Sequence, residues 1–323
     1  MDFELTEDQV SLQERVRAFL EGRFPPDVVR NIEHAGARVD RELWHELGDT
    51  GVFALRVPEE DGGLGLGVSE AVLVFEELGR ALVPGPLVAT ELAARISPEA
   101  AAGHIVVGLV ERDDDQLLVI EHPDDLDALV VLDEDGVRIV DPDPIEGVDA
   151  TRSLDALTPV RVVSGSLPDG ELFGDVEAAE RFRREGLVLT GALQLGIASR
   201  TVELANAYAK EREQFGRPIG SFQAVKHMIA DMLVRSEVAR AAVYAAACAL
   251  DGRSDDDPAR AAAVAKVSAG GAALANAKTC IQVHGGIGYT WELDVQRYWK
   301  RAAVLDTHFG NRERWIEAVA ATI

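Results

Sequence analysis

The hydrophobic rhythm of the chain changes twice, and this limits its fold more than any single motif. Between about residues 104 and 173 the sequence breaks into short β-branched runs, "HIVVGLV", "QLLVIE", "ALVVLDEDGVRIVD" and "PVRVV", separated by Asp-Gly, Pro and acidic clusters. Such runs form strands and hairpins, because branched side chains pack on a pleated surface and Asp-Gly supplies tight turns. On either side the apolar residues recur at helical spacing. Phe3, Val10, Val16 and Leu20 give one rough stripe, and Leu43, Trp44 and Leu47 in "RELWHELGDTGVF" give another. Ser69 is the expected N-cap of a helix over about 70–82. After residue 176 come three long helical runs. Leu193, Ile197, Leu204 and Tyr208 fall near one face of the first; Phe222, Val225, Ile229, Met232 and Val243 stripe the second, with Ser221 as cap. The third opens at Pro258, which suits a first turn, and its alanines and Gly270-Gly271 permit close helix approach. Long helices with short connections predict an antiparallel bundle. The expected fold is mainly α with a central β domain: an N-terminal helical segment 1–86, a reduced middle β segment 87–175 and a helical bundle 176–323.

With 323 residues, 47% of them hydrophobic, the chain can bury a substantial core divided into two or three subdomains. No apolar run is long enough to span a bilayer, and the acidic, amphipathic start "MDFELTEDQVSLQERV" is a poor signal peptide, so a cytoplasmic protein is expected. A net charge of −24 argues against nucleic acid or anionic membrane as partners; an anionic ligand would need local positive charge. Cys248 and Cys280, in alanine-rich helical surroundings, read as buried thiols of a reducing compartment, and no metal spacing is present. The "GGLGLG" at 62–67 has the wrong spacing for a dinucleotide fingerprint and lacks a βαβ frame, so it reads as a turn.

One stretch fits none of this: "CIQVHGGIGYTWE", Cys280 to Glu292, where a helical run ends in three glycines within four residues. One glycine stops a helix; three suggest that something approaches the backbone closely. Together, "VPEEDGGLGLGVSEAVLVFEELGR" (57–80), "YAKEREQFGRPIGSFQAVKHMIADM" (208–232) and "IQVHGGIGYTWELDVQRYWKRA" (281–302) resemble the acyl-CoA dehydrogenases, in the family's order. The resemblance implies an N-terminal helical domain, a middle β domain and a C-terminal four-helix bundle. It also implies FAD and oxidation of an acyl-CoA thioester to its trans-2-enoyl product. A base takes the proton α to a carbonyl polarised by hydrogen bonds, and the flavin supplies the redox chemistry. In the family the R-x-x-F-G and Q-x-x-G-G segments reach the adenosine and pyrophosphate end of a neighbouring subunit's FAD. Carried over, this assigns cofactor contacts to Arg212, Gln214, Phe215, Gln223, Gln282, Val283, His284, Gly285 and Gly286. The plainer reading is that Arg212 pairs with Glu211 or Glu213 and that the glycines only end a helix.

Two departures from the family stand out. The middle segment lacks its T-E-P-x-x-G-S-D-like and W-I-T-N-like stretches, which hold the flavin ring; from Pro86 to Asp175 there is neither Trp nor Tyr. The usual catalytic glutamate position falls on Phe309, followed by Gly310, and phenylalanine cannot take a proton. A minority of members place the glutamate earlier, at a position that falls on Gly186. Its neighbour Glu185 is therefore the candidate base, with His308 a lesser one, and the plainer alternative is a solvated acid near a helix N-terminus. The pattern resembles the shorter subunit of actinobacterial α2β2 acyl-CoA dehydrogenases of steroid side-chain breakdown. That implies a second, dehydrogenase-like chain carrying the flavin ring, base and pocket, a bulky acyl-CoA, and electron-transfer flavoprotein as acceptor. Two alternatives stay open: a homomeric dehydrogenase using Glu185, and a flavin-free scaffold subunit.

Overall fold

The computed structural model describes residues 4–112 and 117–322. Phe3, the first residue of the N-terminal stripe, and Gln116, which begins the run "QLLVIE", lie outside the described residues. The chain opens with helices α1 (Glu7–Arg23), α2 (Pro26–His34), α3 (Arg41–Asp49), α4 (Val68–Arg80), α5 (Leu87–Ala93) and α6 (Pro98–Ala101). Strands follow as β1 (Val107–Glu111), β2 (Val119–Glu121), β3 (Ala128–Leu132), β4 (Val137–Val140), β5 (Gly147–Asp149), β6 (Val160–Val163) and β7 (Glu171–Gly174). Then come α7 (Val176–Glu211), the two-residue strands β8 (Glu213–Gln214) and β9 (Arg217–Pro218), α8 (Gln223–Leu250), α9 (Pro258–His284), α10 (Val295–Leu305) and α11 (Arg312–Ala320). These elements form two compact units, neither of them continuous: residues 1–22, 72–82 and 187–323 make one, residues 23–71 and 83–186 the other. The chain is mainly α with small sheets, as the rhythm of its sequence predicts.

The unit holding residues 23–71 and 83–186 contains two small sheets. One runs β1-β3-β4-β7 with β1 and β3 parallel; the other is antiparallel in the order β2-β6-β5. The β3–β4 hairpin is built by its turn. Asp133 accepts the N–H groups of Asp135 and Gly136 at 2.9 and 3.0 Å and the Arg138 guanidinium at 3.0 Å, which fixes the register Leu132↔Val137. Strands β5 and β7 escape the sequence pattern, because "GVD" and "ELFG" are short and largely exposed. Residues 87–93 and 98–101 are helical, with Ser97 capping α6 by accepting the Ala100 N–H at 3.2 Å. Below them Trp44 is buried against Phe53, ring centroids 4.8 Å apart, and its indole N–H donates to the Ile105 carbonyl at 3.2 Å. Burying rings of this size is worth roughly 2–3 kcal/mol each.

The other unit is a helical assembly centred on α7, α8 and α9. Asn276, fully buried on α9, ties the three together: its Nδ2 donates to the carbonyls of Ala198 on α7 and Met232 on α8, at 3.3 and 2.9 Å, while its Oδ1 accepts from Arg235 at 2.8 Å. Along α4, Glu76 accepts from Arg240 at 2.7 Å and from the Tyr244 hydroxyl at 3.0 Å, and Glu77 is forked by Arg17 at 2.7 and 2.9 Å. Two glycines let α4 and α7 approach. A Cβ at Gly79 would lie 2.1 Å from the Leu193 carbonyl oxygen, and one at Gly196 would lie 2.0 Å from that of Glu76. Helix α9 starts as expected at Pro258, with Asp257 as its N-cap. Two other expected caps fail. Ser69 sits inside the first turn of α4, where Glu70 reaches back to the Gly67 N–H at 3.0 Å, and Ser221 lies in a 3-10 turn before Phe222, which caps α8 without a side-chain bond. On α1, Val16 and Leu20 are buried but Val10 is 40% exposed, and Cys248 is only half-buried while Cys280 is buried.

Lys266 is the unusual interior residue of this unit. Its ammonium donates to the Leu305 carbonyl at 2.5 Å, and burial pulls its pKa down to about 7 despite the charge of Asp306. Among the described residues no helix is long and apolar enough to cross a membrane, and no group of side chains has the makings of a metal site.

Candidate functional site

At the end of α7 the chain folds into a short hairpin. The Arg212 N–H still donates to Tyr208 at 2.8 Å, and Ile219 donates back to the Arg212 carbonyl at 2.7 Å, closing a loop in which β8 pairs with β9. Its two central residues, Phe215 and Gly216, have φ of +52° and +74°. Positive φ at both positions matches the twist of a two-residue hairpin, but it is an uncommon and costly conformation for a phenylalanine. Phe215 is also 91% exposed, with its ring edge-on to Phe222 at 6.1 Å between centroids. Arg217 lies 4.2 Å over the Phe222 ring, a cation–π contact the sequence did not suggest beforehand. Its only signal was a second cation two residues past Phe215.

Arg212 is exposed, and no carboxylate among the described residues pairs with it, so the simple pairing with Glu211 or Glu213 is absent. Gln214 and Gln223 are exposed on the same hairpin and on the first turn of α8; Gln214 Nε2 donates to its neighbour's carbonyl at 2.8 Å.

The glycine turn lies in the same unit. Helix α9 stops at His284, and Gly285 adopts φ +68°, ψ −145°, open only to glycine. Gly288 is needed for packing, since a Cβ there would sit 2.8 Å from the Ile281 carbonyl oxygen. Gly286 is different: its φ is not positive and nothing lies within 4 Å of its Cβ position. Helix termination therefore explains Gly285 and packing explains Gly288, while nothing among the described residues accounts for Gly286. Gln282, Gly285 and Gly286 are exposed, while Val283 and His284 are buried. Val283 shares a small apolar cluster with Ala205, Ala209, Met232 and Ile281, against which Ile219 and Val225 pack from the hairpin side. The His284 ring stacks on Tyr208 at 4.2 Å. The structure thus joins the footings of the hairpin and of the glycine turn at one end of the helical unit.

The proton-transfer candidates are placed otherwise. Phe309 is buried at φ +55° and its carbonyl accepts the Trp315 indole N–H at 2.7 Å, with Gly310 at φ +89° beside it; His308 is half-buried next to them. Glu185 belongs to the other compact unit and is buried, not solvated. It lies well inside α7, which begins at Val176, so the helix terminus does not account for it. Its carboxylate faces Arg56 at 2.8 Å and Arg95 at 3.0 Å, and Arg56 also forks Glu91 with two bonds of 2.6 Å. Burial works against the Arg56 charge, but Glu91 and Glu185 outweigh it and hold the guanidinium above its ordinary range. Two arginines and two glutamates thus balance one another, with the side chains of Arg56, Glu91 and Glu185 buried and Arg95 at the exposed edge of the group.

Comparison with known proteins settles the family. Residues 6–100 match the acyl-CoA dehydrogenase N-terminal domain and residues 178–323 the acyl-CoA dehydrogenase C-terminal domain. The acyl-CoA dehydrogenase IpdE2 of Mycolicibacterium smegmatis is 36% identical over 310 residues, covering 92% of this chain and 93% of that protein. This chain belongs to the acyl-CoA dehydrogenase family. FAD is the cofactor of that family, and the chain shares its fold. Two solved relatives are a variant of the Tcur3481–Tcur3483 steroid ACAD, with a TM-score of 0.83 and 26% identity over 98% of this chain and 97% of that one, and the ChsE4–ChsE5 complex of Mycobacterium tuberculosis, with 0.82 and 25% over 99% and 98%.

Proposed function

We propose that this chain is the shorter subunit of a heteromeric acyl-CoA dehydrogenase. In this reading it supplies the adenosine and pyrophosphate contacts for an FAD whose ring and catalytic base belong to a partner chain. The observation that carries the reading is Phe215: an aromatic ring held 91% exposed, at a costly positive φ, gains stability only when another molecule covers it. Beside it, Arg212 has no carboxylate partner and is free to offset a diphosphate, for which a planar guanidinium is suited. Among the described residues beyond its chain neighbours, nothing lies within 4 Å of the Cβ direction of Gly286, which leaves that side of its backbone open. The residues therefore fit the nucleotide end of FAD. Arg212 would take charge, Phe215 would cover an apolar face, and Gln214, Gln223 and Gln282 would donate and accept hydrogen bonds. Gly285 and Gly286 would admit the ligand to the main chain over the packed Val283 and His284. FAD, when bound, supplies the two-electron acceptor for acyl-CoA oxidation.

The division of labour rests on two features. Phe309 carries no proton-transfer chemistry, and Glu185 already has both oxygens facing guanidinium groups, so lifting a proton would mean breaking buried ion pairs. We assign Glu185 to structure and place the base on the partner. Two-chain relatives named as a steroid ACAD and as a complex support a heteromer acting on a bulky acyl-CoA such as a steroid side-chain thioester; in this reading it is a cytoplasmic heterotetramer with electron-transfer flavoprotein downstream. Co-expression with a second dehydrogenase-like chain tests this through flavin absorbance. The complex should hold stoichiometric FAD while this chain alone holds little, and Arg212→Ala should weaken retention by about 10- to 100-fold, the loss of one charge-assisted contact. A yellow chain that turns over acyl-CoA alone would support the homomer, a complex colourless with every partner would support a scaffold, and unchanged retention in Arg212→Ala would remove the cofactor assignment.

A further inference from the structure

His284 is buried at the foot of the glycine turn, and its two ring nitrogens have different surroundings. Nδ1 lies 2.8 Å from the Cys280 carbonyl, one helical turn back. A carbonyl only accepts, so Nδ1 must carry the proton. Burial lowers the pKa of the ring, which outweighs the opposing pull of that carbonyl, so the ring is neutral at pH 7. A neutral imidazole protonated at Nδ1 has a bare lone pair at Nε2. Among the described residues nothing bonds to Nε2, and it is not one of the buried atoms sealed without a partner, so it keeps some exposure to solvent. The stack on Tyr208, 4.2 Å between centroids and 23° between planes, keeps the ring from turning.

We infer that His284 Nε2 is a fixed hydrogen-bond acceptor that reads a neutral donor on the nucleoside of the bound dinucleotide, either a ribose hydroxyl or the adenine amine. A phosphate oxygen brings no proton at pH 7, so a bare lone pair repels it; the diphosphate falls to Arg212 instead. The inference rests on the cofactor reading above and adds to it the atom, the direction of the hydrogen bond and a discrimination between nucleoside and phosphate.

Two measurements test it. In the isotope-labelled chain, the ring nitrogen shifts of His284, assigned by their loss in His284→Phe, should report the Nδ1–H tautomer; a proton found on Nε2 overturns the inference whatever the binding data show. In the assembled complex stripped of flavin, FAD is then titrated by quenching of its fluorescence. His284→Phe keeps a ring to stack on Tyr208 but loses the acceptor, and should bind FAD about tenfold more weakly, the worth of one hydrogen bond. The hypoxanthine analogue of FAD lacks the amine and the dideoxyribose analogue lacks the hydroxyls. Whichever removes the donor should bind wild type and His284→Phe equally; if neither does, or if His284→Phe binds FAD like wild type, the inference fails. Arg212→Ala separates the two claims: if it weakens FAD while His284→Phe does not, only the acceptor is wrong, and if neither variant weakens FAD, the cofactor reading fails as well.

Discussion

Replacing Lys266 by methionine should make the protein more stable at neutral pH and less stable in alkali. The ordinary lysine value is 10.5, and burial on α9 brings this one down to about 7. Between those two values the unfolded chain holds a proton that the folded chain has released. Stability therefore rises with pH across that window, by about 1.4 kcal/mol per pH unit, and is lost as pH falls toward 7. At pH 7 the wild type bears nearly the full cost of an uncharged or desolvated amine, about 4–5 kcal/mol. Methionine fills the same space without that cost but leaves the Leu305 carbonyl without its 2.5 Å donor, a loss of about 1–3 kcal/mol. The variant should thus gain about 2 kcal/mol at pH 7, and the two stability curves should cross near pH 8.5. Thermal or urea unfolding of both proteins in steps from pH 6 to pH 10 measures the difference directly, and groups titrating alike in both cancel. Parallel curves would refute the reasoning, because they would mean that Lys266 keeps its proton in the fold or that Asp306 compensates it fully.

Glu185→Gln removes one of four balanced charges, leaving Arg95 without its carboxylate and Arg56 with Glu91 alone. We expect a loss of about 3 kcal/mol in the isolated chain by chemical denaturation, with turnover per assembled complex unchanged; abolished turnover in a fully assembled complex would return Glu185 to the mechanism. Phe215→Gly relieves a positive-φ strain of about 1 kcal/mol, which offsets the entropy that glycine adds to the unfolded chain, so the melting temperature of the isolated chain should stay nearly constant. The same variant should weaken FAD binding by the complex several-fold, and a markedly lower melting temperature would show instead that the ring packs within this chain.

Local pattern carried the architecture. The β-branched runs gave β1 to β4 and β6, and Pro258 marked the start of α9. Caps were less legible, since Ser69 and Ser221 are good cap residues that lie one or two positions from where the helices begin. The hairpin tip could be recognised as special only through resemblance, because a hydrophobic residue at positive φ contradicts ordinary turn chemistry. Least legible was the setting of Glu185. Its partner Arg95 lies 90 residues away, and Arg56 and Glu91 are 35 apart, so their meeting is a product of tertiary folding that no local window contains. Glu185 looked solvated because the sequence marks an acid, not the cations that will surround it. The lone pair on His284 was equally hidden, since it depends on which carbonyl the ring meets.

The pair Gly79 and Gly196 bears on how this protein can change over generations. At each site a new methyl group would strike a main-chain oxygen, not a neighbouring side chain. A crowded side chain can be relieved by a second substitution that trims its neighbour, but a peptide carbonyl is the same in every residue and cannot be trimmed. Neither position can rescue the other, so drift at this crossing has no compensating path short of parting the helices. The spacing of α4 and α7 is thus inherited as a unit, while the faces around it stay open to variation.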